Sequence, residues 1–139
     1  MEKLKQQIEL YNKEIFDNEQ KRAERKEKSF KIINGSIPII LSAPHCVNQT
    51  RQGKIKQAEG ETGAIVQILA KLTNCYAIYK TYNNNDDANY DVVGNLYKEE
   101  LKDIIIKNNL KLLIDFHGAK NENEFDIDIL KVYKELKNL

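Results

Sequence analysis

The sequence predicts an α/β fold with a mostly parallel sheet. Three observations carry that prediction. Stretches of helical periodicity alternate with short apolar runs, in the order helix, strand, helix, strand, helix, strand. Two of the runs, around Ile37–Leu41 and Leu110–Phe116, have the apolar character of strands covered on both faces. The chain has two histidines, His45 and His117, and each comes soon after one of these runs. In parallel α/β sheets, sites gather outside the carboxyl ends of the strands. Both imidazoles should therefore emerge on one edge of the sheet, if the two strands are parallel and near neighbours.

The elements follow in order. Residues 1–29 read as a polar helical extension, with Leu4, Ile8, Tyr11 and Ile15 on one face. Two turns of heptad are too few for a coiled coil, so a packed helix with a solvated continuation is expected. Residues 30–139 form the expected α/β domain. Phe30, Ile32 and Ile33 precede a turn at Asn34-Gly35, and Pro38 fits only near the start of the strand that follows. Ser42 to Gly60 reads as loop. A helix opens at Glu61 or Thr62, presents Ile65, Ile68, Leu69 and Leu72, and closes at Asn74. CYAIYKTY alternates as a strand, and NNNDDANYD is a polar loop. VVGNLYKEELKDIIIKNN is a helix with Leu101, Ile104 and Ile105 inward, LKLLIDF a strand, and IDILKVYKELKNL a last helix or an unfinished strand-helix unit.

Composition narrows the function. A length of 139 residues is one domain with room for a core. Hydrophobic residues are 41% and charged residues 31%, a soluble globular balance. With 22 basic and 21 acidic residues the net charge is +1, which provides no general field for nucleic acid or an acidic membrane. No apolar run approaches the roughly 20 residues of a spanning helix. MEKLKQQIEL has no signal-peptide core. Cys46 and Cys75 lack metal or redox spacing, so a disulfide framework is not expected and a cytoplasmic location is.

A lone histidine at a strand end is usually structural. Two of them, each with carboxylates nearby, suit zinc, whose catalytic sites combine three His or carboxylate ligands with an open position. Glu59 and Glu61 in QAEGETG are the available acids. Alternation along the strand is taken to turn Asp115 away from His117, leaving it the role of orienting a ligand. Cys46 adjoins His45, but neighbouring side chains on an extended chain diverge, so no Cys-His nucleophile pair is expected. Tyr76, Tyr79 and Tyr82 are read as strand packing.

SAPHCVNQTRQGKIKQAEGETG, NNNDDANYD and LLIDFHGA together resemble the N-formylglutamate amidohydrolase family, over about residues 33–125. Each element is short, and their order is more specific than any one. The resemblance implies a zinc carboxypeptidase-like fold: a three-layer sandwich of the phosphorylase/hydrolase-like type. It implies zinc held by His45, Glu59 and His117, with Glu59 preferred to Glu61 because it stands three before Thr62. It implies Glu61, Asp87 and Asn89 as catalytic groups. Arg51 and Asn89 would bind a small substrate carrying a carboxylate, in an amide-bond hydrolase without nucleic-acid or membrane partners.

One departure stands out. The family's site type brings its general-base glutamate late, yet only 22 residues (139 − 117) follow His117. Their acids are Glu122, Glu124, Asp126, Asp128 and Glu135. Either a shortened family member or a chain lacking a terminal portion is therefore expected. A catalytically inactive one, acting as a small-ligand or metal-binding module, is the alternative. In a third reading the histidines are structural and the N-terminal helix is the working surface.

Overall fold

The computed structural model describes residues 1–20 and 28–118. The elements are α1 (Glu2–Gln20), β1 (Phe30–Ile33), β2 (Ile37–Ala43), β3 (Gln49–Arg51), β4 (Lys54–Lys56), α2 (Thr62–Thr73), β5 (Cys75–Lys80), α3 (Leu96–Lys107) and β6 (Leu112–Asp115). The charged stretch at 21–27 and the expected last helix lie outside the described residues. Among those described, no helix is long and apolar enough to cross a membrane.

Four strands form a mixed sheet in the order β1-β5-β2-β6. β2 runs parallel to β5 and to β6, while β1 joins the edge antiparallel to β5. β1 and β2 are consecutive yet not paired, because β5 lies between them. The Asn34-Gly35 turn carries the chain past the start of β5. Ser36 and Ile37 both donate their backbone N–H to Asn74 O, at 2.9 and 3.1 Å. Gly35 is required there, since a Cβ would stand 2.4 Å from Asn74 O.

Alternate residues of the central strands enter two separate cores. Leu41, Ala43, Cys75, Ala77 and Tyr79 pack with Val66 and Ala70 of α2. Ile40, Ile78 and Leu113 pack with Tyr97, Ile104 and Ile105 of α3. The period of two in a strand produces that division. Ile40 and Ile78 are fully buried, and burying such a side chain stabilises by about 1.5–3 kcal/mol. α1 packs against α2. Lys71 donates to the Tyr11 hydroxyl, and Glu14 pairs with Lys31 of β1 at 3.1 Å.

Three expectations change. α2 buries Thr62, Gly63, Ala64, Val66, Gln67, Ile68 and Ala70, while Leu72 is 76% exposed. Small residues let the helix lie close to the sheet, so the buried face is set by side-chain size more than by apolarity. The stretch Ser42–Gly60 is not all loop. β3 and β4 form a two-stranded hairpin across Gln52 and Gly53, whose φ of 51° and 75° are the positive values a two-residue hairpin turn needs. α2 does end at Asn74, in the left-handed conformation with φ 56°. α3 starts at Leu96 and not in VVGN, because Asn95 caps it, accepting from Lys98 N at 3.1 Å.

Candidate metal centre

β2 and β6 are adjacent and parallel, with Ser42 opposite Asp115. Phe116 N extends the pairing to Ser42 O at 2.8 Å. The two chains then leave the sheet side by side. His45 and His117 follow, with ring centroids 5.0 Å apart and planes at 73°.

Glu59 joins them. His45 Nδ1 is 2.9 Å from Glu59 Oε1, and His117 Nδ1 is 2.9 Å from Glu59 Oε2. Three backbone contacts hold this glutamate. Its N–H donates to His45 O at 2.8 Å. Its carbonyl accepts from Thr62 Oγ1 at 2.9 Å, which is what the Glu-x-x-Thr spacing does physically. Its Oε2 accepts from Gly118 N at 3.1 Å. A Cβ on Gly118 would stand 3.1 Å from Glu59 Cβ, so the glycine after His117 allows the close approach.

The remaining ring nitrogens meet aspartates. His45 Nε2 is 2.9 Å from Asp87 Oδ1 and His117 Nε2 is 3.2 Å from Asp115 Oδ2. Asp115 thus lies on the same side as His117, contrary to expectation. Residues two apart share a face of an extended chain.

Asp87 is fully buried. Its Oδ1 also accepts from Asn89 N at 3.0 Å, and its Oδ2 from Arg51 Nε at 2.9 Å. Asp87 therefore positions His45 and is spoken for on both oxygens. Arg51 is drawn to Asp87 and lies over the Tyr90 ring, 5.0 Å from its centroid. Asn89 is exposed, with Nδ2 3.1 Å from His117 Nε2. If that nitrogen carries a proton for Asp115, rotation of the amide presents Asn89 Oδ1 as the acceptor. Glu61 is exposed at the helix entrance, with φ 57° and no side-chain cap bond. Among the described residues its side chain bonds neither histidine. The late acids Glu122 to Glu135 lie outside the described residues.

The charges are strongly coupled. Burial pushes the Glu59 carboxyl up, but hydrogen bonds from His117, then His45, and the charge of His45 outweigh it. The carboxyl is held well below the usual range. Asp87 behaves alike: burial is outweighed by His45 and Arg51, and its carboxyl is lowered. The hydrogen bond to Asp115, then that to Glu59, raises His117 from 6.5 to about 9, against burial.

The loop carrying Asp87 and Asn89 is anchored from beneath. Lys80 is 1% exposed and places Nζ 2.7 Å from both oxygens of Asp86 and 3.1 Å from Ser29 Oγ. Burial lowers its pKa, and Asp86 opposes that. Asn95 bonds Asp91, which accepts from Asp87 N at 2.8 Å. Cys46 is buried beside His45 and donates to Lys80 O at 3.0 Å, so it faces away from the imidazole.

Sequence reasoning missed Lys56. Its Nζ is 3.1 Å from Glu59 Oε1 and 3.4 Å from His45 Nδ1. A cation thus already stands against the proposed ligands, and nothing in the sequence beyond the three-residue spacing to Glu59 hints at it.

The donor set suits a metal. Two imidazole nitrogens and a carboxylate oxygen lie within 4.8 Å of one another. Bonds of about 2.0–2.2 Å to one tetrahedral zinc set donors roughly 3.5 Å apart, so the three would draw together to hold it. The aspartate behind each ring is the partner that fixes a ligating histidine's tautomer. Comparison with protein-family models, curated proteins and solved structures finds no significant match.

Proposed function

We propose that this chain is a zinc-dependent hydrolase of amide bonds, similar to the N-formylglutamate amidohydrolases, acting on a small N-acylated amino acid or peptide. The single observation that carries the reading is Glu59 reaching Nδ1 of both histidines at 2.9 Å while Asp87 and Asp115 hold the opposite nitrogens. A purely structural pair has no need of that arrangement twice over. The two helices seen against opposite sides of the sheet fit the three-layer sandwich that such a hydrolase would have.

Zinc held by His45, Glu59 and His117 would supply Lewis acidity, polarising a carbonyl and acidifying water. The chain's own groups do the rest. Asp87 and Asp115 keep both Nδ1 atoms facing Glu59. Asn89, exposed beside His117, offers an amide to a substrate carbonyl or carboxylate. Arg51 keeps Asp87 ionised through Nε and Nη2, both on Asp87 Oδ2, and its side chain is still 38% exposed; a substrate carboxylate is the natural partner of the N–H groups it has left.

A second reading has its own support. Every carboxylate that touches the histidine pair among the described residues already holds a ring nitrogen. Asp115 Oδ1 is the one oxygen of these carboxylates left without a hydrogen-bond partner among the described residues, and it is buried; with Glu59 and Asp87 committed to the rings, a non-catalytic metal-binding module is favoured. Turnover decides between them. Zinc-loaded protein should release formate or acetate from N-acyl amino acids, and a chelator should abolish the release. Stoichiometric zinc without any turnover would leave only the binding module.

A further inference from the structure

A cavity of about 750 Å³ opens beside His117 and is lined by Asn89 and Asp115 as well. Its volume lies in the range of small-molecule sites, about 300–1,000 Å³. It sits on the α3 side of the sheet. Pro44, Ala88, Val92, Val93, Tyr97 and Leu101 provide apolar wall. Tyr97 brings a ring and no free hydroxyl. Its OH donates to Ile78 O at 3.0 Å and lies 2.9 Å from Ser42 Oγ, inside the core. Val92 and Val93 are 88% and 85% exposed, an adjacent apolar pair that belongs to neither core cluster of the described residues.

The charged groups around the cavity cancel. Lys98 and Lys102 stand against Glu99 and Asp115. The Lys98 ammonium is committed to Asp91 O at 2.7 Å. Asp115 turns one oxygen to His117, and its other oxygen is buried without a hydrogen-bond partner. An acidic side chain entering here would meet the Asp115 carboxylate as well as Lys102 and the His117 ring, so the cavity offers it no net preference in charge.

We infer that this cavity is a specificity subsite for an aliphatic or aromatic side chain, so that the substrate is an N-acylated apolar amino acid and not an acidic one. The inference rests on the amide-hydrolase reading for its choice of ligand class. The walls select the side chain by apolar burial, while Asn89 and His117 at the inner rim keep the amide next to the candidate metal ligands.

The test uses N-formyl-phenylalanine and N-formyl-glutamate with the whole chain, by calorimetric titration in zinc and again in chelator. The phenylalanine compound should bind at least about tenfold more tightly, the discrimination one or two apolar groups supply. Val92→Ser and Val93→Ser change exposed positions and should leave unfolding unaltered. Each should shrink that preference by weakening the phenylalanine compound while leaving the glutamate compound unchanged. Equal binding of the two compounds, tighter binding of the glutamate compound, or a preference unmoved by both variants would overturn the subsite. If the phenylalanine compound binds with the same preference in chelator, and zinc neither binds nor produces turnover, the subsite stands and the hydrolase reading falls.

Discussion

His117 Nδ1 and Glu59 Oε2 lie 2.9 Å apart although 58 positions separate them in the chain. The approach is possible because β6 delivers His117 beside β2, and because Gly118 leaves room for the glutamate. The same carboxylate reaches His45 through its other oxygen. One acidic side chain thus clasps the ends of two neighbouring strands.

Without metal, that clasp has a defined pH window. Glu59 is depressed below its ordinary 4.5, so its contribution is present above 4.5 and lost as acid protonates it. His117 is raised from 6.5 to about 9, so its contribution is complete below 6.5 and lost as pH rises through about 9. Thermal unfolding in chelator should therefore show the highest Tm between 4.5 and 6.5 and a decline toward 9. A Tm that climbs between pH 6.5 and about 9 contradicts the coupling. Zinc reverses the alkaline trend, because it must displace the His117 proton, and its apparent affinity should strengthen with pH.

Asp87→Asn removes the negative charge behind His45 and replaces one of its two acceptor oxygens with an N–H donor. Zinc affinity should fall by about 10–100-fold, the usual effect of losing such a partner. Competition with a chromophoric chelator measures it. An unchanged affinity would mean that Asp87 serves only Arg51.

Lys56 places its ammonium 3.1 Å from Glu59 Oε1. Replacing it with methionine removes a charge that repels an incoming cation. Lys56→Met should bind zinc at least about tenfold more tightly, a modest share of the Coulomb energy at this range. Weaker binding would make Lys56 a supporting residue instead.

Lys80→Met leaves the Asp86 carboxylate in a part-buried position without its cation. The cost should be about 3 kcal/mol, as for a broken buried pair, read from urea unfolding. The site should suffer too, since the Asp86 anchor holds the loop that carries Asp87. A loss within a few tenths of a kcal/mol would mean that solvent already satisfies Asp86.

Much of this arrangement was legible in the sequence. Apolar runs Ile37–Leu41 and Leu112–Ile114 announced buried strands, and the helix–strand alternation made a largely parallel pairing the natural solution. A histidine after each run then placed both rings at one edge. The family resemblance favoured Glu59 over Glu61 on its Glu-x-x-Thr spacing, and in the fold the Thr62 hydroxyl binds the Glu59 carbonyl. Other features depend on packing that no local pattern encodes. β1 pairs with β5, not with β2, because the long-range partner wins over the nearer one. The β3–β4 hairpin hid in a stretch rich in polar residues, with Gln52 at a positive φ that favours glycine. Lys56 and Lys80 are ordinary lysines in sequence, and only the fold brings their charges to Glu59 and Asp86.

The most direct test is the zinc content of purified protein after loading and exhaustive dialysis, measured beside Glu59→Gln and His117→Gln. The wild-type chain should retain one zinc, and each variant should lose it while keeping a cooperative unfolding transition. Metal absent from the wild type, or retained equally by both variants, would contradict a shared cation site at His45, Glu59 and His117.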